Sequence, residues 1–167
     1  TGAGIAAGFI HIGNHALIKG GLFMAVGGIF LATGSRVSVM SMTGIGRKMP
    51  LTATAFLICG LSLIGLPLTA GFISKLYLVR ALLDNDNLVI VGLVLASSAL
   101  SVMYLWKIVE VMWVRPAPVD ALEINERPAL YIQLWIIAIA NIWLGLDASW
   151  LVGAAEAAAA SLLGAGG

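Results

Sequence analysis

Apolar residues fill the chain in four long runs, and polar or charged residues are gathered between them. The first run extends from Gly4 to Ala32. A basic stretch, Thr33 to Pro50, follows with Arg36, Arg47 and Lys48. The second run, Leu51 to Leu83, ends at Asp84-Asn85-Asp86-Asn87. The third, Leu88 to Val114, leads into the Arg115–Pro128 loop with Pro116, Pro118 and Pro128. The fourth extends from Ala129 to Trp150, and an Ala- and Gly-rich tail with Glu156 completes the chain at 151–167. Each run reaches the roughly 20 apolar residues that carry a helix across a bilayer. The pattern therefore predicts an all-α integral membrane protein with about four passes, roughly 4–32, 51–83, 88–114 and 129–150. Residues 1–150 form the transmembrane part, and the tail extends the last helix or lies at the interface.

The second run is too long for one upright helix and contains Gly65-Leu66-Pro67-Leu68-Thr69-Ala70-Gly71. Proline removes an N–H and clashes with the preceding turn, and glycine frees the backbone. The run is therefore expected to be one discontinuous crossing of two half-helices, Leu51 to Ile64 and Phe72 to Leu83, broken around Gly65, Pro67 and Gly71.

Composition agrees with the pattern. Hydrophobic residues make up 60% of the chain and charged residues 10%, and mean hydropathy is +1.03. So few polar groups cannot coat a water-facing surface, so lipid is the natural solvent. A net charge of +1 provides no basic field for nucleic acid. The single Cys59 allows no internal disulfide. The first ten residues hold no Lys or Arg, unlike a signal peptide, and the chain opens inside an apolar run, as expected of a cut within a longer protein.

Basic residues also set the expected orientation. Arg36, Arg47, Lys48, Arg115 and Arg127 fall in the first and third connections, against Arg80 alone on the other side. Loops 33–50 and 115–128 are thus expected in the cytoplasm, and the C-terminus outside. Trp106, Trp113, Tyr131, Trp135, Trp143 and Trp150 stand towards the ends of the last two passes, as interface anchors would.

Two constellations carry chemistry. His11, His15 and Lys19 are spaced by four, so each advances about 40° around a helix and ~6 Å along it. A charge near mid-bilayer costs about 2.5–3.5 kcal/mol on insertion scales and usually faces a bundle interior or a wet cavity. Imidazole takes a proton on one nitrogen and releases it from the other, and a lysine taken out of water discharges more readily. The stripe therefore suits a proton relay, with Lys19 expected to face the second run through the interior and a water between them. The plainer alternative is a polar seam with Lys19 snorkelling. Zinc is not expected, because His11-Ile-Gly-Asn-His15 lacks the glutamate of a zinc-protease helix.

The second constellation is the break with Ser74 and Lys75 beyond it. Broken helices at membrane depth line cavities and form ion sites in transporters. The carbonyl end of the first half-helix would favour the Lys75 charge, and the N-terminal end of the second would oppose it. A simple proline kink with a snorkelling lysine is the alternative. Lys107 and Glu110, three apart, are a further candidate pair, either an interfacial salt bridge or part of an exit. Neither a nucleotide-binding nor a hydrolase motif is present, so neither a catalytic site nor a cofactor is expected.

Together the constellations resemble the family of Mrp-type cation/proton antiporter subunits and the antiporter-like subunits of respiratory complex I. His11-Ile-Gly-Asn14-His15-Ala16-Leu-Ile-Lys19-Gly-Gly-Leu22-Phe23 is similar to the family's His-x-x-Asn-His-Ala-x-x-Lys-x-x-Leu-Phe. Gly65-Leu66-Pro67-Leu-Thr69-Ala70-Gly71-Phe72-Ile-Ser74-Lys75 is similar to its Gly-Leu-Pro-x-Thr-Ala-Gly-Phe-x-Ser-Lys. The resemblance implies a bundle of about fourteen helices with two inverted half-channels, of which this chain is the last part. It also implies that Lys19 and His15 are the central relay and Lys75 the broken-helix carrier. The family's first half-channel, with its own Glu and Lys, is absent from this sequence. Gly20 and Leu68 depart from the family pattern, which often has Ala and Pro there. The short third connection is closer to an Mrp D-type subunit. The alternative is the proton-pumping membrane subunit of an NADH:quinone oxidoreductase or related hydrogenase complex. Either implies other membrane subunits as partners, protons and Na+ or K+ as cargo, and a bacterial cytoplasmic membrane.

Overall fold

The computed structural model describes residues 1–34, 36–116 and 126–164. Helix α1, Gly2–Thr33, is continuous and ends at Gly34 in the left-handed conformation, φ 65°. Two short turns follow, a 3-10 turn at Met40–Met42 and helix α2, Ile45–Lys48. Then come α3, Pro50–Ile64, α4, Ala70–Leu83, and α5, Leu88–Val109, which continues as a π turn over Glu110–Val114. Helix α6, Pro128–Leu146, and helix α7, Ser149–Gly164, complete the described chain. Among the described residues, three helices are long and apolar enough to cross a membrane: Gly2–Thr33, Leu88–Val114 and Pro128–Leu146.

The second expected pass is two half-helices. With 15 and 14 residues, α3 and α4 rise about 22 Å and 21 Å, each short of a hydrocarbon core of about 30 Å. The non-helical link contains Gly65 at φ 92° and Leu68 at φ 72°. A leucine in that region is strained by its Cβ, so the surrounding packing must hold it.

The expected loop 33–50 is more structured than a solvated linker. Met42, Ile45 and Met49 are buried, and Gly44 N–H donates to Val111 O at 3.1 Å. A side chain at Gly46 would strike the Trp113 ring, so indole and backbone are in close contact. Their apolar residues explain this: the stretch is basic only at Arg36, Arg47 and Lys48. Thr52 N–H donates to Glu126 Oε1 at 3.0 Å. The first and third connections thus sit at the same end of the bundle. Of the third, residues 117–125, with Pro118, lie outside the described residues, as do Ser35 and the tail's last residues, 165–167.

The fourth pass ends at Leu146, four residues before the expected Trp150, because Asp147 leaves helical geometry and Trp150 belongs to α7. The tail does not continue that helix. It is a helix laid against the start of α1, with Ala155 and Ala159 on Ala6 and Ile10. Small residues there let the backbones approach closely. The larger core gathers α1, α3, α5 and α6 around Ala25, Phe56, Cys59, Leu105 and Leu134. Trp113 and Trp135 pack against it, whereas Trp106, Trp143 and Trp150 are exposed.

Candidate ion-translocation site

The two constellations meet where α1 crosses the break. Asn14, 1% exposed, donates from Nδ2 to Ala70 O at 2.8 Å and fixes α1 against the start of α4. One turn earlier, His11 Nδ1 lies 3.3 Å from Ser74 Oγ. Ser74 in turn donates to Gly71 O at 3.0 Å. With its proton so directed, the Ser74 oxygen accepts from His11 Nδ1–H, and His11 Nε2 is left able to take a proton. The His11 and His15 rings are stacked with centroids 5.6 Å apart. Both rings, Ser74 and Lys75 line one cavity of about 20 Å³ with Ile18, Ser62, Leu63 and Gly71, room for about one water.

Lys75 is held at the break. Its ammonium donates to Leu63 O at 2.8 Å, Ile64 O at 2.6 Å and Ser98 Oγ at 2.8 Å. Three donors meet three oxygens, so the charge is fully hydrogen-bonded. The two carbonyls are at the C-terminal end of α3, where helix carbonyls lack intrahelical partners and the dipole favours a cation. No described carboxylate pairs with it. The lysine expected beside the carbonyl end of the first half-helix thus sits there.

Lys19 is placed differently from expectation. Its side chain is exposed on this chain and lies over the Phe23 ring of its own helix, 5.9 Å from the centroid. The drift of about 40° per four residues explains it. His11 faces Ser74, His15 borders the cavity, and two turns on Lys19 has rotated past the interior. The expected water therefore has its place between the histidines and Lys75, not between Lys19 and the break.

Lys107 and Glu110 do not pair. Glu110 instead accepts from Arg115 Nε and Nη2, at 3.2 and 3.1 Å. Between them the backbone closes a π turn, Arg115 N–H to Glu110 O. A π turn brings residues five apart onto one face, which favours Arg115 over Lys107.

Three partners had not been singled out from the sequence. Ser98 arrives from α5 to complete the Lys75 seat. Ser62 Oγ accepts from Gly71 N–H at 3.1 Å and donates to Asn141 Oδ1 at 2.9 Å. Asn141, 0% exposed, also donates to Ile137 O. Asn141 could have been noticed as an amide in the middle of an apolar run. Ser62 and Ser98 carry no such signal, because serines are common where membrane helices pack. Gly71 and Gly145 lie close against main chain: a Cβ at Gly71 would overlap Ser62 O, and one at Gly145 would overlap the backbone of Leu68 and Thr69.

Comparison with known proteins places this arrangement. Residues 1–101 match the family described as "NADH:quinone oxidoreductase/Mrp antiporter, TM". NADH-quinone oxidoreductase subunit N of Desulforudis audaxviator is 38% identical over 150 residues, 82% of this chain and 30% of that protein. Subunit N 1 of Solibacter usitatus is 34% identical over 162 residues, 95% of this chain and 33% of that one. The chain therefore spans about a third of the relatives' length. In a structure of the Mrp complex from a Dietzia species, one chain superposes with a TM-score of 0.82 at 23% identity, covering 97% of this chain and 38% of that one, which shows a shared fold. The chain belongs to the transmembrane family common to NADH:quinone oxidoreductases and Mrp antiporters.

Proposed function

We propose that this chain moves protons across the bilayer as part of a multi-subunit complex, by exchange between the His11–His15 pair and Lys75. The observation that carries the reading is the single small cavity shared by both imidazoles and the lysine at the helix break. One water there could link His11 or His15 to Lys75 without ring and ammonium touching. Lys19, one helical step beyond His15, would connect this group to whatever covers the open side of α1. Glu110 and Arg115 stand at the far end of α5, and their ion pair is exposed, which suits an interfacial anchor better than an exit.

Relatives at 38% and 34% identity that cover most of this chain are named as subunit N of NADH-quinone oxidoreductases. They favour a redox-driven complex over the Mrp D-type antiporter, which is supported by likeness of fold. On either reading the partners are other membrane subunits, and the membrane is the bacterial cytoplasmic one, with loops 33–50 and 115–128 inside. Labelling of a cysteine introduced at 36–48 from the cytoplasmic side alone would agree with that orientation, and labelling from outside would reverse it.

The main test replaces Lys75 in the full-length protein within its complex. Lys75→Ala should abolish most proton-coupled transport in everted vesicles, normalised to assembled complex. Lys75→Arg should also fail largely, because a guanidinium does not discharge. Normal transport by both would make Lys75 a packing residue. Quinone-linked NADH oxidation driving the same transport would select the redox complex. Cation-dependent dissipation of a pH gradient without NADH would select the antiporter.

A further inference from the structure

The Lys75 ammonium occupies a cage that does not depend on lysine. Its three ligands are neutral oxygens, two main-chain carbonyls and one hydroxyl, drawn from α3 and α5. Both carbonyls belong to the end of a half-helix, so they carry the partial negative charge of a helix C-terminus with no intrahelical donor to absorb it. Left empty, these part-buried acceptors would lose their partner, which is costly to the extent that they are shielded from water. The small cavity adjoins the seat and has room for a water as a further oxygen.

We propose that this seat is a binding site for a monovalent cation of ammonium or potassium size, which enters when the Lys75 side chain withdraws. Neutral carbonyl and hydroxyl oxygens at 2.6–2.8 Å from the ammonium nitrogen replace a hydration shell, as carbonyl rings do in potassium-selective filters. Ammonium and potassium are close in size, so the spacing suits the larger monovalent ions rather than sodium. Calcium and magnesium are disfavoured because the seat offers no carboxylate and too few oxygens. Lysine and free ion are thus alternative occupants, and departure of the ammonium need not strand the carbonyls. Competition of the ion with Lys75 would link the transported proton to a cation. That link rests on the proposed function, because only a Lys75 that moves during transport would vacate the seat.

The experiment is a thermal melt of the full-length protein in its complex, with Lys75→Ala, Lys75→Gln and the parent compared in choline, sodium, potassium and ammonium chloride. Potassium and ammonium should raise the midpoint of Lys75→Ala by roughly 3–6 °C over choline, with sodium less effective. The parent and Lys75→Gln should not respond, because an ammonium or an amide already fills the seat. Adding Ser98→Ala to Lys75→Ala should remove most of the response. A Lys75→Ala complex that assembles only when potassium or ammonium is present would be the same result in stronger form. Equal midpoints in all four salts, an equal response in Lys75→Gln, or failure to assemble in any salt would overturn the proposal. Lost transport in Lys75→Ala with no ion response would remove the cation site and leave the proton relay standing. An ion response with normal transport would do the reverse.

Discussion

Two of the breaks between consecutive helices, at 65–69 and 147–148, are resolved in opposite ways. At Gly65–Thr69 the link is exposed at Leu66 and Leu68 and buried at Thr69, and the problem is free, part-buried carbonyls at the end of α3. A cation from the following helix, Lys75, satisfies them. At Asp147–Ala148 the break is at the surface, and the problem is free N–H groups at the start of α7. There an anion does the work: Asp147 Oδ1 accepts from both the N–H and the hydroxyl of Ser149. Each charge sits where the helix dipole wants it. The difference lies in solvent. Water readily replaces the exposed Asp147, whereas the part-buried carbonyls that Lys75 satisfies are less open to it.

That contrast orders the consequences of substitution. Gly71→Ala should be the most damaging change, roughly 3 kcal/mol or more, because the added carbon meets main chain that cannot rotate away. Yield of assembled complex and its melting midpoint measure this, and a normal midpoint would mean that α3 and α4 separate easily at the break. Lys75→Ala follows, at about 1–3 kcal/mol in choline, the cost of carbonyls left unpaired. If it melted like the parent, the break beside Lys75 would be no more demanding than the one at Asp147. Asn141→Leu should cost about 1–2 kcal/mol, through loss of the acceptor for Ser62. Asn141→Ser, which can still accept, should lose less, and equal losses would argue that volume rather than hydrogen bonding matters there.

The smallest effect belongs to the surface break. Hydrogen bonds from the Ser149 hydroxyl, and next from its N–H, hold the Asp147 carboxyl below the usual carboxylate range. A group depressed in the folded state stabilises above its unfolded pKa, and that contribution disappears as pH falls through the folded one. Amide exchange at the start of α7 should therefore quicken as pH drops below about 4, after correction for intrinsic exchange. Asp147→Asn should flatten the response, and an unchanged response would locate the cap elsewhere.

The two motifs carried the location of the site, because glycine, proline and charged residues in an apolar run act through local backbone chemistry that needs no partner to be read. The half-helices fall within two residues of the expected bounds for that reason. Lys19 was legible as unusual, but not as lying off the side of α1 that meets the break, since a stripe spaced by four drifts and only packing decides which member meets α4. The docking of α7 on α1 was hidden because alanine repeats give little periodic signal. Ser62, Ser98 and Asn141 act across 9 to 79 residues of sequence, and such pairings appear only once the helices are placed.

The bare main chain of Gly145 against Leu68 and Thr69 has a mechanical meaning. Where two helices touch through long side chains, rotamers yield and a displacement is absorbed within ångströms. Here backbone bears on backbone, so the joint is stiff in compression. A shift of the segment that carries the strained Leu68 must push α6 along with it. The two-residue link to α7 then conveys the push to the helix lying on the start of α1. The break, α6 and α7 thus form a run of contacts along one side of α1, the helix that carries the histidines.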